Sequence, residues 1–174
     1  MDELLEILGR LEQAAGPVVL GTQLKSSGGG TRAGARRILE AAGGAPATEL
    51  EEAVQGVAVT GRSRMLAGEL LERMVPGKLP PWVHFCSQVG RRGGACVLAT
   101  VGAVEGDIAY ALGDRFAYDE RNHGLLPMDG RFSLDLQRGC QRAREAGEPL
   151  WERFDLPGGS LGVGLEPLAC AARP

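Results

Sequence analysis

Three observations predict that this 174-residue chain folds as an α+β or α/β protein with two similar sheet-plus-helix halves. Stretches with the apolar spacing of strands alternate with stretches that have the spacing of helices. Blocks of the first half recur in the same order in the second half. The two tryptophans, Trp82 and Trp151, each lie in a similar hexapeptide, "PPWVHF" and "PLWERF". Together these observations predict an internal duplication.

The predicted repeat consists of three collinear blocks. In the first block "GPVVLGT" aligns with "GACVLAT", and in the second "GARRIL" aligns with "GDRFAY". The third block aligns Gly61 with Gly130 and Trp82 with Trp151. This alignment leaves extra residues in the first half, within "EAAGGAPATELEEAVQG". We expect them to form an inserted loop, because loops tolerate added length cheaply.

The first half begins with an amphipathic helix, in which Leu4, Leu5, Leu8 and Leu11 recur at helical spacing. "VVLGTQL" predicts a buried strand, and the glycine-rich "KSSGGGTRAGARRIL" predicts a loop that runs into a strand or short helix. "GVAVTG" predicts a further short strand. "SRMLAGELLERMV" has the spacing of a second helix. "PPWVHF" predicts a last strand, because its leading prolines favour a strand start or an edge.

In the second half, "ACVLATVGAV" predicts a strand, "SLDLQRGCQRAREAG" a helix that ends at Gly147, and "LWERFDL" a strand with period-two alternation. "LGVGLEPL" predicts one more strand. We expect no counterpart of the first helix, because "SQVGRRGG" is too rich in glycine to sustain one. Residues 1–88 are therefore assigned to the first repeat and residues 89–174 to the second, in one compact unit.

The composition argues against several functional classes. A net charge of −3 gives no general attraction to nucleic acid or to an anionic membrane, and no apolar run approaches the roughly 18 residues that span a bilayer. The acidic, amphipathic start does not resemble a signal peptide, so we expect a cytoplasmic protein. No pair of the four cysteines has C-x-x-C spacing, so we predict reduced thiols and no metal site. The excess of arginine over lysine is typical of a GC-rich, bacterial genome.

The segment Lys25–Arg37, "KSSGGGTRAGARR", gives the strongest indication of a binding site. Consecutive glycines leave backbone N–H groups unobstructed, hydroxyls add donors, and arginines add positive charge, so the segment can form a nest for a phosphate group. Its spacing is neither that of a P-loop nor that of a dinucleotide fingerprint. A solvated, arginine-rich loop is the alternative interpretation. The candidate binding residues here are Ser26, Ser27, Gly29, Gly30, Thr31, Arg32 and Arg36.

The corresponding segment of the second half, "EGDIAYALGDR", is acidic and would repel phosphate. We therefore expect any site to be asymmetric, in the first half or at the seam between the halves. Neighbouring carboxylates such as Glu51–Glu52 usually face solvent, and no acid–base pair or nucleophile motif can be identified. A non-catalytic protein is expected, with a phosphate-handling enzyme as a remaining alternative.

Several segments match the pattern of one known family. "LATV" from Leu98 matches a Leu-Ala-Thr-Val strand, and Ser26–Ser27 with Arg32 resemble the Gly-Ser-Ser-Pro-Arg loop that follows it. "AGEPLWERFDL" resembles that family's helix exit and next strand, and "VGLEPL" resembles the end of its N-terminal domain. The chain thus resembles two diverged copies of the N-terminal domain of the XdhC/CoxI family, the accessory proteins of xanthine dehydrogenase and related molybdenum enzymes.

The resemblance implies a chaperone-like accessory protein that binds molybdenum cofactor (molybdopterin) or another phosphate-bearing ligand. Its implied partner is a molybdenum hydroxylase of the xanthine dehydrogenase class, and a homodimer is a further expectation. The family's Gly-Gly-Cys turn would fall near Ser63 and Phe132, so its cysteine is absent and Ser63 is the remaining candidate contact. The family's C-terminal nucleotide-binding-type domain has no counterpart in these residues. The alternative function is an interaction scaffold that has lost cofactor binding.

Overall fold

The computed structural model describes residues 1–26, 32–119, 121 and 124–169. The chain packs as two units, which are Glu6–Pro80 and the combination of Met1–Leu5 with Pro81–Pro174. We call them the first and the second unit. The predicted division at residues 88 and 89 concerns the copied segments rather than the packing units, and it stays a prediction.

The first unit contains an antiparallel four-stranded sheet in the order β2-β1-β4-β3. Helix α1 precedes the sheet, and α2 packs on β1, β3 and β4. Thr48 caps the start of α2 by accepting a hydrogen bond from the Glu51 backbone, and Gly61 ends the helix at a φ of 70°. The elements are α1 (Asp2–Glu12), whose residues up to Leu5 are grouped with the second unit, β1 (Val18–Gln23), β2 (Arg36–Leu39), α2 (Glu49–Thr60), β3 (Arg64–Leu66) and β4 (Glu69–Met74).

The second unit repeats this plan, since its antiparallel sheet has the order β6-β5-β8-β7. Helix α3 packs on β5 and β6, and α4 packs on β5, β7 and β8. Asp129 caps the start of α4, and Gly147 ends it at a φ of 68°, as the sequence predicts. The elements are α3 (Pro81–Arg91), β5 (Ala95–Gly106), β6 (Arg115–Tyr118), α4 (Gly130–Ala146), β7 (Leu150–Leu156) and β8 (Gly159–Ala169).

The turn before the second strand is repeated in atomic detail. Gly34 and Gly113 both have a φ of 91°, a backbone conformation that favours glycine. Arg36 Nη1 donates to the Gly34 carbonyl over 3.0 Å, and Arg115 Nη1 donates to the Gly113 carbonyl over 3.1 Å. The predicted α+β fold with two similar sheet halves is confirmed, and this turn supports the first two blocks of the repeat.

The third block of the predicted repeat is wrong. "PPWVHF" is not a strand but the start of α3, because proline fits the first turn of a helix, where its missing N–H is not needed. Trp82 therefore lies on a helix, whereas Trp151 lies on β7. The second half does have an opening helix, contrary to the prediction. Its buried Trp82, Cys86 and Val89 repeat the 4-3 spacing of the buried leucines of α1.

Two further element predictions in the first half are wrong. "SRMLAGELLERMV" forms the hairpin of β3 and β4, because Ala67 and Gly68 turn the chain with φ values of 50° and 79°. "GVAVTG" is the end of α2, and the predicted insertion contains the beginning of this helix. Gly61 therefore corresponds to Gly147, the residue that ends α4, and not to Gly130.

Each sheet carries its own apolar core on the side covered by its long helix. In the first unit, the core consists of Val19, Ala53, Val54, Val57 and Leu71. In the second unit, the core is larger and contains an aromatic cluster around Phe132. Among the described residues, no helix is both long and apolar enough to cross a membrane.

Candidate functional site

A polar cleft of about 450 Å³ lies on the side of the first sheet that α2 covers, beyond the apolar core. Strands β1, β2 and β4 form its floor. The first turn of α2 and the β3–β4 hairpin form its walls. Its volume falls within the range typical of small-molecule sites. The described residues that line it are Gln23, Ala35, Arg36, Arg37, Leu50, Leu66, Ala67 and Glu69.

Arg37 and Glu69 form a two-pronged ion pair in this cleft. Arg37 Nη2 lies 2.9 Å from Glu69 Oε1, and Arg37 Nε lies 3.0 Å from Glu69 Oε2. The Glu69 side chain is 10% exposed, whereas the Arg37 side chain is 51% exposed. The hydrogen bonds that Arg37 donates to Glu69 raise the pKa of Arg37 above its ordinary value. A buried carboxylate thus fixes the orientation of a guanidinium group that still faces solvent.

Gly21 makes room for this ion pair. It lies opposite Arg37 on β2, and Glu69 lies on β4 two residues from Leu71, the residue that pairs with Gly21. A Cβ atom at Gly21 would approach the Glu69 carboxylate to 3.0 Å, which is closer than ordinary van der Waals contact. The missing side chain therefore lets the carboxylate lie across β1 and reach the guanidinium group.

Both ends of the glycine-rich segment are anchored at this cleft. Gln23, which is 4% exposed, donates from Nε2 to the backbone carbonyls of Lys25 and Ala67. On the far side of the segment, the Gly34 N–H donates to the Gln23 carbonyl over 2.7 Å, and Gln23 N–H donates to Ala35. The chain thus leaves the sheet and returns to it at the cleft edge.

The equivalent position in the second unit is filled with apolar side chains. Where β1 and β4 pair Gln23 with Glu69, β5 and β8 pair Val101 with Val163. Phe116 follows Arg115 in the second unit as Arg37 follows Arg36 in the first. An aromatic ring therefore occupies the position that is equivalent to Arg37.

Helix α4 closes the space above these side chains. It has 17 residues where α2 has 12, and its first turn places Phe132, which is 2% exposed, in the core. The Phe132 ring makes edge contacts with Tyr110, Phe116 and Phe154 at centroid distances of 5.2, 5.8 and 5.6 Å. A polar cleft at this position is therefore a property of the first unit.

The structure brings few of the predicted site residues together. Of those that it describes, Arg36 alone lines the cleft, and its Nη1 bond to Gly34 recurs at Arg115, which indicates a structural role. Ser26 and Arg32 are exposed at the two ends of the glycine-rich segment. Ser27, Gly29, Gly30 and Thr31 lie outside the described residues, and their predicted role stays a prediction.

Ser63 lies in the connection between α2 and β3, away from the described cleft lining. The alignment that paired it with Phe132 is wrong, because Ser63 follows the end of α2 whereas Phe132 lies in the first turn of α4.

Sequence reasoning missed Gln23 and Glu69, the two most buried polar residues of the cleft. Two signals were present in the sequence. Gly21 lies inside a strand pattern, where a glycine often marks the close approach of another group. Glu69 opens an apolar run at "ELL", a position where an unpaired charge would be costly.

The cleft is suited to binding rather than to proton transfer. Its described lining has two guanidinium groups and one carboxylate, and the carboxylate is held by two charge-assisted hydrogen bonds. Within the described ranges, no group of three or more His, Cys, Asp or Glu side chains is placed to hold a metal ion. The arrangement can accept an anion or a polar ring through Arg37.

No protein-family model matches this sequence, and no curated protein matches it significantly. Five chains of solved structures do match. One is described as a xanthine dehydrogenase from Bacillus halodurans, with 20% identity and a TM-score of 0.44, over 48% of this chain and 29% of that chain. This chain spans less than a third of that protein, and a likeness at this level carries no functional argument.

Proposed function

We propose that the protein is an accessory factor of the XdhC/CoxI type, which binds a phosphate-bearing ligand such as molybdenum cofactor in the cleft of its first unit. The observation that carries this proposal is the contrast between the two units. The same architectural position holds an open cleft with arginines in one unit and an aromatic cluster in the other. Packing alone does not require a cleft at this position, since the second unit fills it.

The described residues fit the phosphate end of such a ligand. Arg37 is half exposed, and Glu69 holds its guanidinium group in one orientation, so little conformational entropy is lost when it binds an anion. Gln23 adds a buried amide beside the glycine-rich segment. None of the described lining residues carries a thiol, so they offer nothing to the metal end of molybdenum cofactor.

The sequence resemblance supports the choice of ligand and client. Its "LATV" segment lies on β5, and its "LWERFDL" segment forms β7. The client is accordingly a molybdenum hydroxylase of the xanthine dehydrogenase class, to which the protein delivers cofactor without catalysing a reaction of its own.

Native mass spectrometry of the freshly purified protein tests whether a ligand is carried along. The expected spectrum contains the chain together with an additional mass of a pterin or nucleotide phosphate. Calorimetric titration with inorganic pyrophosphate then tests the cleft itself.

Arg37→Gln is expected to weaken pyrophosphate binding by roughly 10–100-fold, because a charge-assisted hydrogen bond is lost. Arg142→Gln is the matched control. It removes the same charge from an ion pair with Glu152 in the second unit, which has the same two-pronged geometry, and it should leave affinity unchanged. Equal affinity of the wild type and Arg37→Gln would rule out this cleft as the phosphate site.

A second function, that of an interaction scaffold without cofactor, is favoured by one observation. Met128, which precedes the cap of α4, is 100% exposed, and Leu134, in α4, is 56% exposed. Contiguous exposed apolar patches mark contact surfaces, and these two side chains are the residues from which such a patch would be built. If Met128→Lys with Leu134→Lys abolishes binding to a xanthine-dehydrogenase-class enzyme while neither pterin nor pyrophosphate binds the wild type, the scaffold function replaces the cofactor function.

A further inference from the structure

Gln23 holds a hydrogen-bond acceptor at the cleft that the protein itself does not use. Its Nε2 donates to the backbone carbonyls of Lys25 and Ala67. Carbonyl oxygens only accept, so the nitrogen of the amide must face them, and the orientation of the side chain is fixed. In the part of the chain that the structure describes, no group donates to the remaining oxygen, Gln23 Oε1. The residue is 4% exposed, which makes an unused polar atom unusual.

This oxygen opens into the cleft rather than into the core. Gln23 is one of the residues that line the cleft, and Oε1 is not one of the sealed, unpartnered atoms of the described side chains. The oxygen is therefore within reach of water in the cleft. A ligand that fills the cleft displaces this water, and its binding is weakened unless it replaces the lost hydrogen bond.

The surroundings of this oxygen favour a donor that brings no lone pair of its own. Glu69 is the cross-strand neighbour of Gln23, and the carbonyls of Lys25 and Ala67 lie against the same amide. All of these groups are acceptors, and a hydroxyl would turn its lone pairs toward them. The N–H of an amide or lactam donates without this repulsion. An ammonium group gains less, because the Glu69 carboxylate is already paired with Arg37.

We propose that the ligand of the cleft carries an uncharged N–H donor for Gln23 Oε1 in addition to the anionic group that Arg37 binds. Arg37 lies opposite Gly21, which is two residues from Gln23 along β1. Two residues of a strand span about 7 Å, so a few bonds separate the two groups of the ligand. The substrate class is an organic phosphate or phosphonate with an amide-type N–H. This inference rests on the phosphate site proposed above, and it makes inorganic pyrophosphate a probe of the site rather than its natural ligand.

Two probes of the same shape that differ in one group test the proposal. Phosphonoacetic acid is prepared as its N-methylamide, which offers an N–H, and as its methyl ester, which has an oxygen at the same place. NMR titration of isotope-labelled protein measures the affinity of each probe, even where binding is weak. We expect the amide to bind roughly 10-fold more tightly than the ester, because the ester leaves Gln23 Oε1 facing another acceptor.

Matched variants locate the contact. Gln23→Met removes the amide at similar side-chain length and should abolish the preference for the amide probe. Gln55→Met is the control, because Gln55 Nε2 also donates to two backbone carbonyls, those of Ala42 and Gly44, and Gln55 does not belong to the described lining of the cleft. This control should leave the preference unchanged. Arg37→Gln should weaken the binding of both probes by similar factors.

The outcomes separate this inference from the proposal on which it rests. If the wild type binds amide and ester equally while Arg37→Gln weakens both, the phosphate site stands and the donor contact is overturned. The contact is also overturned if pyrophosphate binds and neither probe does, or if aminoethylphosphonate or hydroxyethylphosphonate binds more tightly than the amide. If pyrophosphate and both probes fail to bind, the phosphate site itself is wrong and this inference falls with it. The comparison on the wild type decides the question even if Gln23→Met disturbs folding.

Discussion

The ion pair of the cleft should be much more sensitive to the loss of its exposed partner than to the loss of its buried one. In Arg37→Ala, the Glu69 carboxylate, whose side chain is 10% exposed, loses both of its hydrogen bonds and remains buried. In Glu69→Ala, the Arg37 guanidinium is already half exposed and can bind water instead. The first variant leaves an uncompensated charge, and the second does not.

The magnitude follows from the geometry. A buried hydrogen bond to a charged group contributes about 1.5–3 kcal/mol, and two of them are present. Because the Arg37 side chain is 51% exposed, about half of that sum is retained. We expect a coupling energy of about 2 kcal/mol for the pair, a loss of about 2–3 kcal/mol for Arg37→Ala, and about 1 kcal/mol for Glu69→Ala.

Urea unfolding of the two single variants and the double variant, followed by far-ultraviolet circular dichroism, measures this cycle. Hydrogen exchange of peptides from β1 and β4 assigns the loss to the first unit, which contains no tryptophan. The same cycle on Arg142 and Glu152, where the carboxylate side chain is 21% exposed, should show a smaller difference between the two single variants. If Glu69→Ala costs as much as Arg37→Ala, or if the coupling is below about 0.5 kcal/mol, the pair does not hold a buried charge.

Three further variants test the packing described above. Phe132→Ala should lower the free energy of unfolding by about 3–5 kcal/mol in denaturant titrations, because a ring that is 2% exposed leaves a cavity, and a loss under about 1.5 kcal/mol would contradict this packing. Burial raises the pKa of the Cys140 thiol from 9.0 to about 12, so the folded state favours the neutral thiol, and stability present below pH 9 is lost as pH rises toward about 12. Cys140→Ala should reduce this alkaline decrease in Tm, and an unchanged pH profile would contradict that assignment. Gly21→Ala should displace the Glu69 carboxylate and speed hydrogen exchange in β4, whereas unchanged exchange would mean that the close approach is not needed.

Strands whose sequences are mostly apolar and rich in Val and Thr, and helices with clear end signals, could be predicted from the sequence. "VVLGTQ" and "CVLATV" both form central strands, and α4 ends at the expected glycine. The sequence patterns that identify these elements lie within the elements themselves or at their ends. The repeat, which was detectable in the first two blocks, then predicts two similar halves, whereas the order of the strands within each sheet was not predicted.

The remaining elements were missed for identifiable physical reasons. Proline is compatible both with a strand start and with the first turn of a helix, so Pro80–Pro81 did not distinguish them. Ala67 turns the chain at a φ of 50°, which alanine rarely adopts. The sequence "AGE" was therefore interpreted as part of a helix. Val57 and Val59 favoured a strand, although Thr48 and Glu51 have the spacing of a helix-capping pair.

The ion pair of the cleft could not be predicted from local patterns. Arg37 and Glu69 belong to β2 and β4, which are not neighbours, and they meet across β1. Only the sheet order together with the empty position at Gly21 brings them into contact. The glycine-rich segment indicated the right neighbourhood, but of the described lining its own residues supply Ala35, Arg36 and Arg37, all from its C-terminal end.

The unequal lengths of α2 and α4 accompany the difference between the interiors of the two units. The additional first turn of α4, which carries Phe132, fills the space that is an open cleft in the first unit. Deleting that turn from α4 and replacing its aromatic neighbours with smaller residues should open a cleft in the second unit. Adding the turn to α2 should fill the cleft of the first unit. The residue at which the helix begins therefore decides whether the space above the sheet is open or filled, and protein engineers could change it in either unit.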